Sequence, residues 1–350
     1  MNGFHREFHI MPGVAKKPTI IDVANLCGVT AATVSRVLNA KKNFSTSDAV
    51  REKILETARR LGYVPNIAAR NLVRGATHII GVFASPRTHI AEGINESLLD
   101  GIAALLHPAG YEVFFEVSSN EAGREGLPYW RFDGALLLQM PRPETVEELN
   151  RRGVPYVCVN ERLGKPHATV LADDTMGMKH ALEHLVQLGH KRIGYANARG
   201  GYFDHYSVTE RYETLLDGVR KHSLTLVEGH ETPFQSASYF LEQTVLEGKA
   251  TALITYDHHI AVMILGAAYD LNLHIPSDFS LICFNDVFPV SQLAPPLTAV
   301  AVSGREMGRV GADMLLNSLN KTKSPAGKII RVSEDLIVRR STAPPKTTVS

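Results

Sequence analysis

Residues 19–39 read TIIDVANLCGVTAATVSRVLN, and their pattern decides how the N-terminal region folds. Thr19, followed three residues later by Asp22, is close to a capping box, which starts a helix by satisfying free backbone N–H groups. Ile20, Val23, Ala24 and Cys27 then fall on one helical face. Gly28 breaks this helix where a tight turn is needed. Thr30 caps a second helix that turns Val34, Val37 and Leu38 inward, and Asn39 with the polar AKKN stretch ends it. A third helix fits Asp48 to Leu61, apolar at Val50, Ile54, Ala58 and Leu61, and Gly62 stops it. Two short helices across a glycine-containing turn, with a supporting third, predict helix-turn-helix geometry.

The second helix carries suitable chemistry for nucleic acid. Its N-terminal amides, with the Thr30 hydroxyl, can hold a phosphate. Ala31 and Ala32 are small enough to let the backbone approach base edges or a thymine methyl. Arg36 can bond bidentately to guanine, a contact worth about 1–3 kcal/mol of discrimination. After Pro65 comes NIAARNLVRG, where Asn66 can cap a helix of about two turns, too short to be stable alone in water. Charge agrees. Residues 1–75 hold 12 Lys and Arg against 5 Asp and Glu, and the rest of the chain holds 25 against 31. A basic head on an acidic body points to a polyanionic partner, the alternative being an ordinary solvated basic surface.

The chain has 350 residues, 44% hydrophobic and 21% charged, which excludes a disordered or fibrous polymer. No run approaches the roughly 18 apolar residues of a membrane span. Residues 1–17 lack periodicity and read as a loose tail without a signal peptide, and Met11 offers a second start. Cys27, Cys158 and Cys283 are far apart and odd in number, which argues against a disulfide scaffold and suits a reducing cytoplasm.

From His78 the pattern switches to short apolar runs alternating with helical periods. HIIGVFA, YEVFFEV, DGALLLQM and VPYVCVN read as strands, with helices at INESLLDGIAALLHPAG and VEELNRRG. The alternation restarts with TMGMKHALEHLVQLG, RIGYANA, ERYETLLDGVRKH, ALITY, IAVMILGAAYDLN and SLICFND. Such alternation implies parallel sheets with helices on both faces, here in two similar lobes with a cleft between them. Ligands bind outside the carboxyl ends of such strands.

IIDVANLCGVTAATVSRVLN followed by GYVPNIAARNLVRG resembles the headpiece of the lactose-repressor (LacI/GalR) family of bacterial transcriptional regulators. HLVQLGHKRIGY, IPSDFSLICFND and APPLTAVAV resemble that family's body, and through it the periplasmic sugar-binding proteins. The fold this implies is α plus α/β: a helix-turn-helix headpiece with a hinge helix, then a two-lobed periplasmic-binding-protein-like core. The expected boundaries are 18–64 for the DNA-binding domain, 65–75 for the hinge helix, 76–341 for the core and 342–350 for a tail. Within the core, one lobe takes about 76–171 and 300–325, the other about 172–299 and 326–341. Departures fall at Thr214, at Tyr256 and in a shortened segment between Val117 and Asp133.

The resemblance also implies sites. DNA contacts fall on Thr19, Thr30, Ala31, Ala32, Thr33, Ser35, Arg36 and Asn39, and in the hinge on Asn66, Ala69 and Leu72. Leu72 takes the position of a leucine that wedges between base pairs, a mechanism known for minor-groove proteins; plain hinge packing is its alternative. Effector contacts fall on Ser85, Asn160, Arg211, Phe234, Tyr256, Asp257 and Asn285. The chemistry is coherent: Asn and Asp meet hydroxyls, Arg offers a fork of donors, and Phe covers an apolar ring face. The bland alternatives are helix capping for Asp257 and Asn285, core packing for Phe234 and a surface ion pair for Arg211.

The expected protein is therefore a cytoplasmic repressor, a homodimer on a pseudo-palindromic operator, controlled by a sugar-like effector. Control by a purine or a protein partner, or corepression, stays open. No phosphate loop, dinucleotide fingerprint, nucleophile elbow or zincin motif is present, so neither an enzyme nor a cofactor is expected. His180 and His184 lie at helical spacing without a third metal ligand, and read as surface histidines. Ile94, Leu98, Leu99, Ile102 and Leu105 suggest a dimer face on their helix, the alternative being packing on its own sheet.

Overall fold

Val23, Ala24 and Cys27 of α1 (Ile20–Cys27), Val34 and Val37 of α2 (Ala31–Leu38), and Ile54 and Ala58 of α3 (Asp48–Leu61) close into one small apolar core. The computed structural model describes residues 18–38, 44–64, 76–84, 93–117, 132–138, 142–197, 205–227, 236–320 and 327–346. The expected tail 1–17 and hinge helix 65–75 lie outside them. α1 opens on the Thr19–Asp22 capping box and ends at Gly28, whose φ of 71° is left-handed and open to glycine without strain. The chain then turns so that α1 and α2 meet at 104°.

The chain forms two compact units, Met1–Thr77 and His78–Ser350. The second holds two six-stranded sheets. The first sheet comprises β1 (Ile79–Ala84), β2 (Glu112–Val117), β3 (Gly134–Leu138), β4 (Tyr156–Val159), β5 (Ala168–Ala172) and β11 (Lys328–Val332), in the order β11-β5-β4-β3-β1-β2, all parallel. The second comprises β6 (Arg192–Ala196), β7 (Thr225–Leu226), β8 (Ala252–Thr255), β9 (Ser280–Phe284), β10 (Thr298–Val302) and β12 (Glu334–Ile337), in the order β12-β10-β9-β8-β6-β7. Among the described strands only β12 runs antiparallel to its neighbour.

Strand periodicity puts successive side chains on opposite faces. Leu136 and Leu138 of β3 enter one core with α4 (Ile94–Leu106) and α10 (Gly304–Leu319), while Ala135 and Leu137 enter another with α5 (Pro143–Arg152). Both faces are covered, which is why these strands read as continuous apolar runs. The second sheet is flanked by α6 (Asp174–Gln187), α7 (Tyr206–Lys221), α8 (Ala237–Leu241) and α9 (His258–Asp270) around a single large core.

Three features correct the sequence reading. The lobes do not exchange at 300 and 326. β10 stays in the second sheet to Val302, and β11 pairs with β5 of the first, so the crossings fall at Asp173, Ser303 and Ser333. The core does not end at 341: Ala343 bonds Ser280 and His190, Thr342 bonds His184, and Lys346 pairs with Asp278. Leu98 and Ile102 are fully buried beneath α10 and drop out of the dimer face expected on α4, whereas Ile94, Leu99 and Leu105 are half-buried. α4 and α10 cross through glycine: a Cβ on Gly101 would lie 2.0 Å from the Arg305 carbonyl oxygen, and one on Gly308 would lie 2.1 Å from that of Leu98.

Candidate functional site

The headpiece presents a small polar face on α2. The Thr30 hydroxyl accepts from the Thr33 N–H at 3.2 Å and shares a bond with the Thr33 hydroxyl, so Thr30 caps the helix. Ala32 and Arg36 are exposed one turn apart; Ala31, Thr33 and Ser35 are half-buried. The Arg36 guanidinium lies 5.3 Å from the centroid of the Phe44 ring, a cation–π contact that restricts its rotamers. The Thr19 hydroxyl donates to Asp22 at 2.7 Å and is engaged in its own cap.

The second unit gathers polar side chains at the carboxyl ends of its strands, where the lobes meet. Asn160, just after β4, sits in the left-handed region with φ 57°, which asparagine tolerates best among residues with a Cβ. Both of its oxygens are gripped by the start of α7 in the other lobe. His205 donates from Nε2 to the Asn160 carbonyl at 2.9 Å, and the Tyr206 hydroxyl donates to Oδ1 at 2.8 Å. With Nε2 donating, the neutral ring accepts at Nδ1 from the Ser207 hydroxyl, which shares a bond with the Tyr256 hydroxyl. A continuous relay thus runs from β8 to β4 across the cleft. Beside it, Glu210 of α7 accepts from Arg162 at 2.6 Å and from Arg331 at 2.7 and 2.8 Å, both from the first lobe. Burial opposes the Glu210 charge, but Arg331 and Arg162 outweigh it and hold its carboxyl below the usual range.

Behind the relay lies a buried charge cluster. Arg211 of α7, 4% exposed, donates from Nε to Asp174 at 2.5 Å and from Nη1 to the Tyr256 carbonyl at 2.6 Å. Its guanidinium lies 3.9 Å from the Phe284 ring centroid, and Glu334 Oε1 lies 4.0 Å from its Nη2. Both Glu334 carboxyl oxygens, Asp174 Oδ2, the Tyr195 hydroxyl and Asn285 Oδ1 are buried without a hydrogen-bond partner among the described residues. Burial first, then the Asp174 charge, push Glu334 well above the ordinary carboxylate range. Burial likewise raises Tyr256 to about 12.

Residues 19–66 match the model of bacterial regulatory proteins, lacI family, and residues 182–342 match that of a periplasmic binding protein-like domain. The chain carries a lacI-family DNA-binding domain followed by a periplasmic binding protein-like domain. It is 26% identical over 341 residues to the probable transcriptional repressor ExuR of Bacillus subtilis (strain 168), covering 93% of this chain and 99% of that one. Its fold resembles the lac repressor dimer bound to operator and the anti-inducer ONPF, with TM-score 0.75 at 20% identity over 94% of this chain and 100% of that one. It also resembles the transcriptional regulator CelR in complex with cellobiose, with TM-score 0.63 at 23% identity over 93% and 99%.

Within the second unit the structure brings Asn160, Arg211, Tyr256, Asp257 and Asn285 to one end of the sheets. Ser85, Phe234, Asn39, Asn66, Ala69 and Leu72 lie outside the described residues. Arg211 is no surface ion pair, since it is buried in the cluster. Asp257 accepts from the Ile260 N–H at 2.8 Å and caps α9, the bland alternative for that residue. Asn285 caps no described helix; it is left-handed at φ 72° with its amide oxygen orphaned. His180 and His184 are half-buried and hydrogen-bonded to Glu334 O and Thr342, not free on the surface. Among the described residues, no group of three or more His, Cys, Asp or Glu is placed to hold a metal ion.

Sequence reasoning missed Asp174, Glu334, Tyr195, His205, Ser207, Tyr206, Glu210 and Arg331. The only local signal is the pair Asp173-Asp174 directly after an apolar run. Glu334 is 160 residues from Asp174 in sequence, and no pattern announces their meeting.

Proposed function

We propose that this chain is a sequence-specific DNA-binding transcriptional repressor controlled by a small, sugar-like effector in the cleft between its lobes. The observation that carries the reading is the α1–α2 pair at 104° with Ala32 and Arg36 exposed on the second helix, the docking geometry of a recognition helix. The basic head supports it through phosphate attraction. A homodimer would set two headpieces on a pseudo-palindromic operator. No single described helix is long and apolar enough to cross a membrane. The regulator proposed is cytoplasmic and performs no catalysis.

The effector reading rests on the polar atoms at the strand ends and on the bonds joining the lobes there. A ligand that competes for Asn160, Tyr256 or Arg211 changes the relative stability of joined and separated lobes. A coupling of about 1–3 kcal/mol would change operator affinity roughly 5- to 150-fold. The cellobiose complex of a structural relative and the operator complex of another support this pairing of ligands.

The test is selection of duplexes from a palindromic library by the full chain, followed by titration with sugars. Enrichment of a symmetric site that one sugar weakens is the expected result. A sugar that tightens binding makes the ligand a corepressor. No enrichment at low salt, with and without sugars, would refute the reading.

A further inference from the structure

The buried cluster holds two carboxylates against one arginine. Asp174 is fully buried at the start of α6, Glu334 is fully buried at the start of β12, and Arg211 lies between them on α7. Asp174 already neutralises the guanidinium at 2.5 Å, and one face of the guanidinium lies against the Phe284 ring. Among the described residues, the unpartnered atoms nearby are mostly acceptors: Asp174 Oδ2, Asn285 Oδ1 and the Glu334 carboxyl, which keeps one accepting oxygen when protonated and two when ionised, with the Tyr195 hydroxyl as the exception. With Glu334 protonated the three charges sum to zero; with it ionised they sum to minus one. In neither state does the cluster offer net positive charge to a ligand, and low dielectric magnifies that deficit. What it asks for is hydrogen-bond donors.

We propose that this end of the cleft selects a polyhydroxylated ligand without negative charge, neutral or amine-bearing, and that Asp174 and Glu334 set this selectivity by neutralising Arg211. The proposal rests on the reading of the cleft as the effector site. Acidic sugars and sugar phosphates are rejected, because their anionic group would meet orphaned carboxyl oxygens rather than a free guanidinium. The two carboxylates back each other up. Remove Asp174, and Glu334 at 4.0 Å becomes the counter-ion of Arg211. Asp174→Asn alone therefore keeps the selectivity, and only Asp174→Asn with Glu334→Gln releases it.

The test is calorimetry and thermal shift on the full chain with matched probes: glucose, glucosamine and glucuronate; galactose, galactosamine and galacturonate; and cellobiose. Expected is a neutral or amino sugar that binds at least tenfold more tightly than its matching uronate. The doubly substituted chain should narrow that gap at least tenfold. A uronate that binds the unaltered chain as well as its neutral partner overturns the charge selection while leaving the carbohydrate reading intact. If no sugar of any charge binds, the carbohydrate reading falls and takes this proposal with it. A folded double variant with unchanged discrimination removes Asp174 and Glu334 as its source. If the double variant does not fold, the comparison on the unaltered chain still decides the selectivity.

Discussion

Replacing Arg211 by methionine removes the one cation that two buried carboxyls share. The side chain is 4% exposed, so the change withdraws a 2.5 Å ion pair with Asp174, a 2.6 Å bond to the Tyr256 carbonyl and the contact with Phe284, all out of water. The hydrophobic stem survives in methionine, and the loss is therefore mainly electrostatic. Asp174 is fully buried and would be left without a counter-charge. Breaking a buried pair from one side costs about 3–5 kcal/mol, because the remaining charge keeps its desolvation penalty. For a unit of this size each kcal/mol moves Tm by about 2–4 °C, so the second unit should melt on the order of 10 °C lower. Circular dichroism melts of the full chain read this, with urea titration for the free energy. Two controls belong with it. Asp174→Asn in the same background should recover at least half the loss, as expected for directly coupled residues. The deficit should also shrink as pH falls through the raised range of Glu334, because protonation removes that carboxyl's share of the unpaired charge. A loss below about 1 kcal/mol at neutral pH, with no pH dependence, would refute the picture of a buried, mutually dependent cluster.

Four further outcomes follow from particular contacts. Glu334→Gln should stabilise the chain at neutral pH and leave it unchanged near pH 4.5. The raised folded pKa of Glu334 gives stability that is complete below the ordinary carboxylate value and lost as pH rises through the folded value, and glutamine removes that loss; melts at pH 4.5 and 8 check it. Arg36→Ala, at an exposed position, should weaken binding to the selected operator by about 1–3 kcal/mol, roughly 5- to 150-fold, while the lost Phe44 contact costs the headpiece no more than about 1 kcal/mol of stability. Glu210→Gln should loosen the clasp on Arg162 and Arg331 and raise the effector Kd by less than about tenfold, since partly exposed pairs contribute about 1 kcal/mol or less each; calorimetry measures it. Gly101→Val should drive a side chain into the Arg305 carbonyl at the α4–α10 crossing and cost at least about 1–3 kcal/mol, read by urea unfolding.

The headpiece was legible because its information is local. The capping box at Thr19, the turn at Gly28 and the helix Asp48–Leu61 each depend on residues within one or two turns of one another. The central strands were legible because both of their faces are covered, which leaves uninterrupted apolar runs. The edge strand β11, with lysine and arginine among exposed residues, carried no such run, and the lobe boundary drawn from sequence missed it. Leu98 and Ile102 show the opposite failure. Their apolar stripe was plain, but whether it faces a sheet or a second subunit depends on glycines more than 200 residues away that let α10 close over it.

The site divides along the same line. The residue types at the strand ends can be read directly from the chain: Asn160, Tyr256, Asp257 and Asn285, with Arg211 one helix away. What each is free to do depends on its neighbours in the folded protein. Arg211 is neutralised by Asp174, Asp257 is spent on a helix cap, and Asn160 is held by His205 and Tyr206 across the cleft. The physical reason is range. Helix caps and strand periods are set by neighbours in the chain, whereas the charge of a buried site is a sum over groups that only folding brings within a few ångströms of one another.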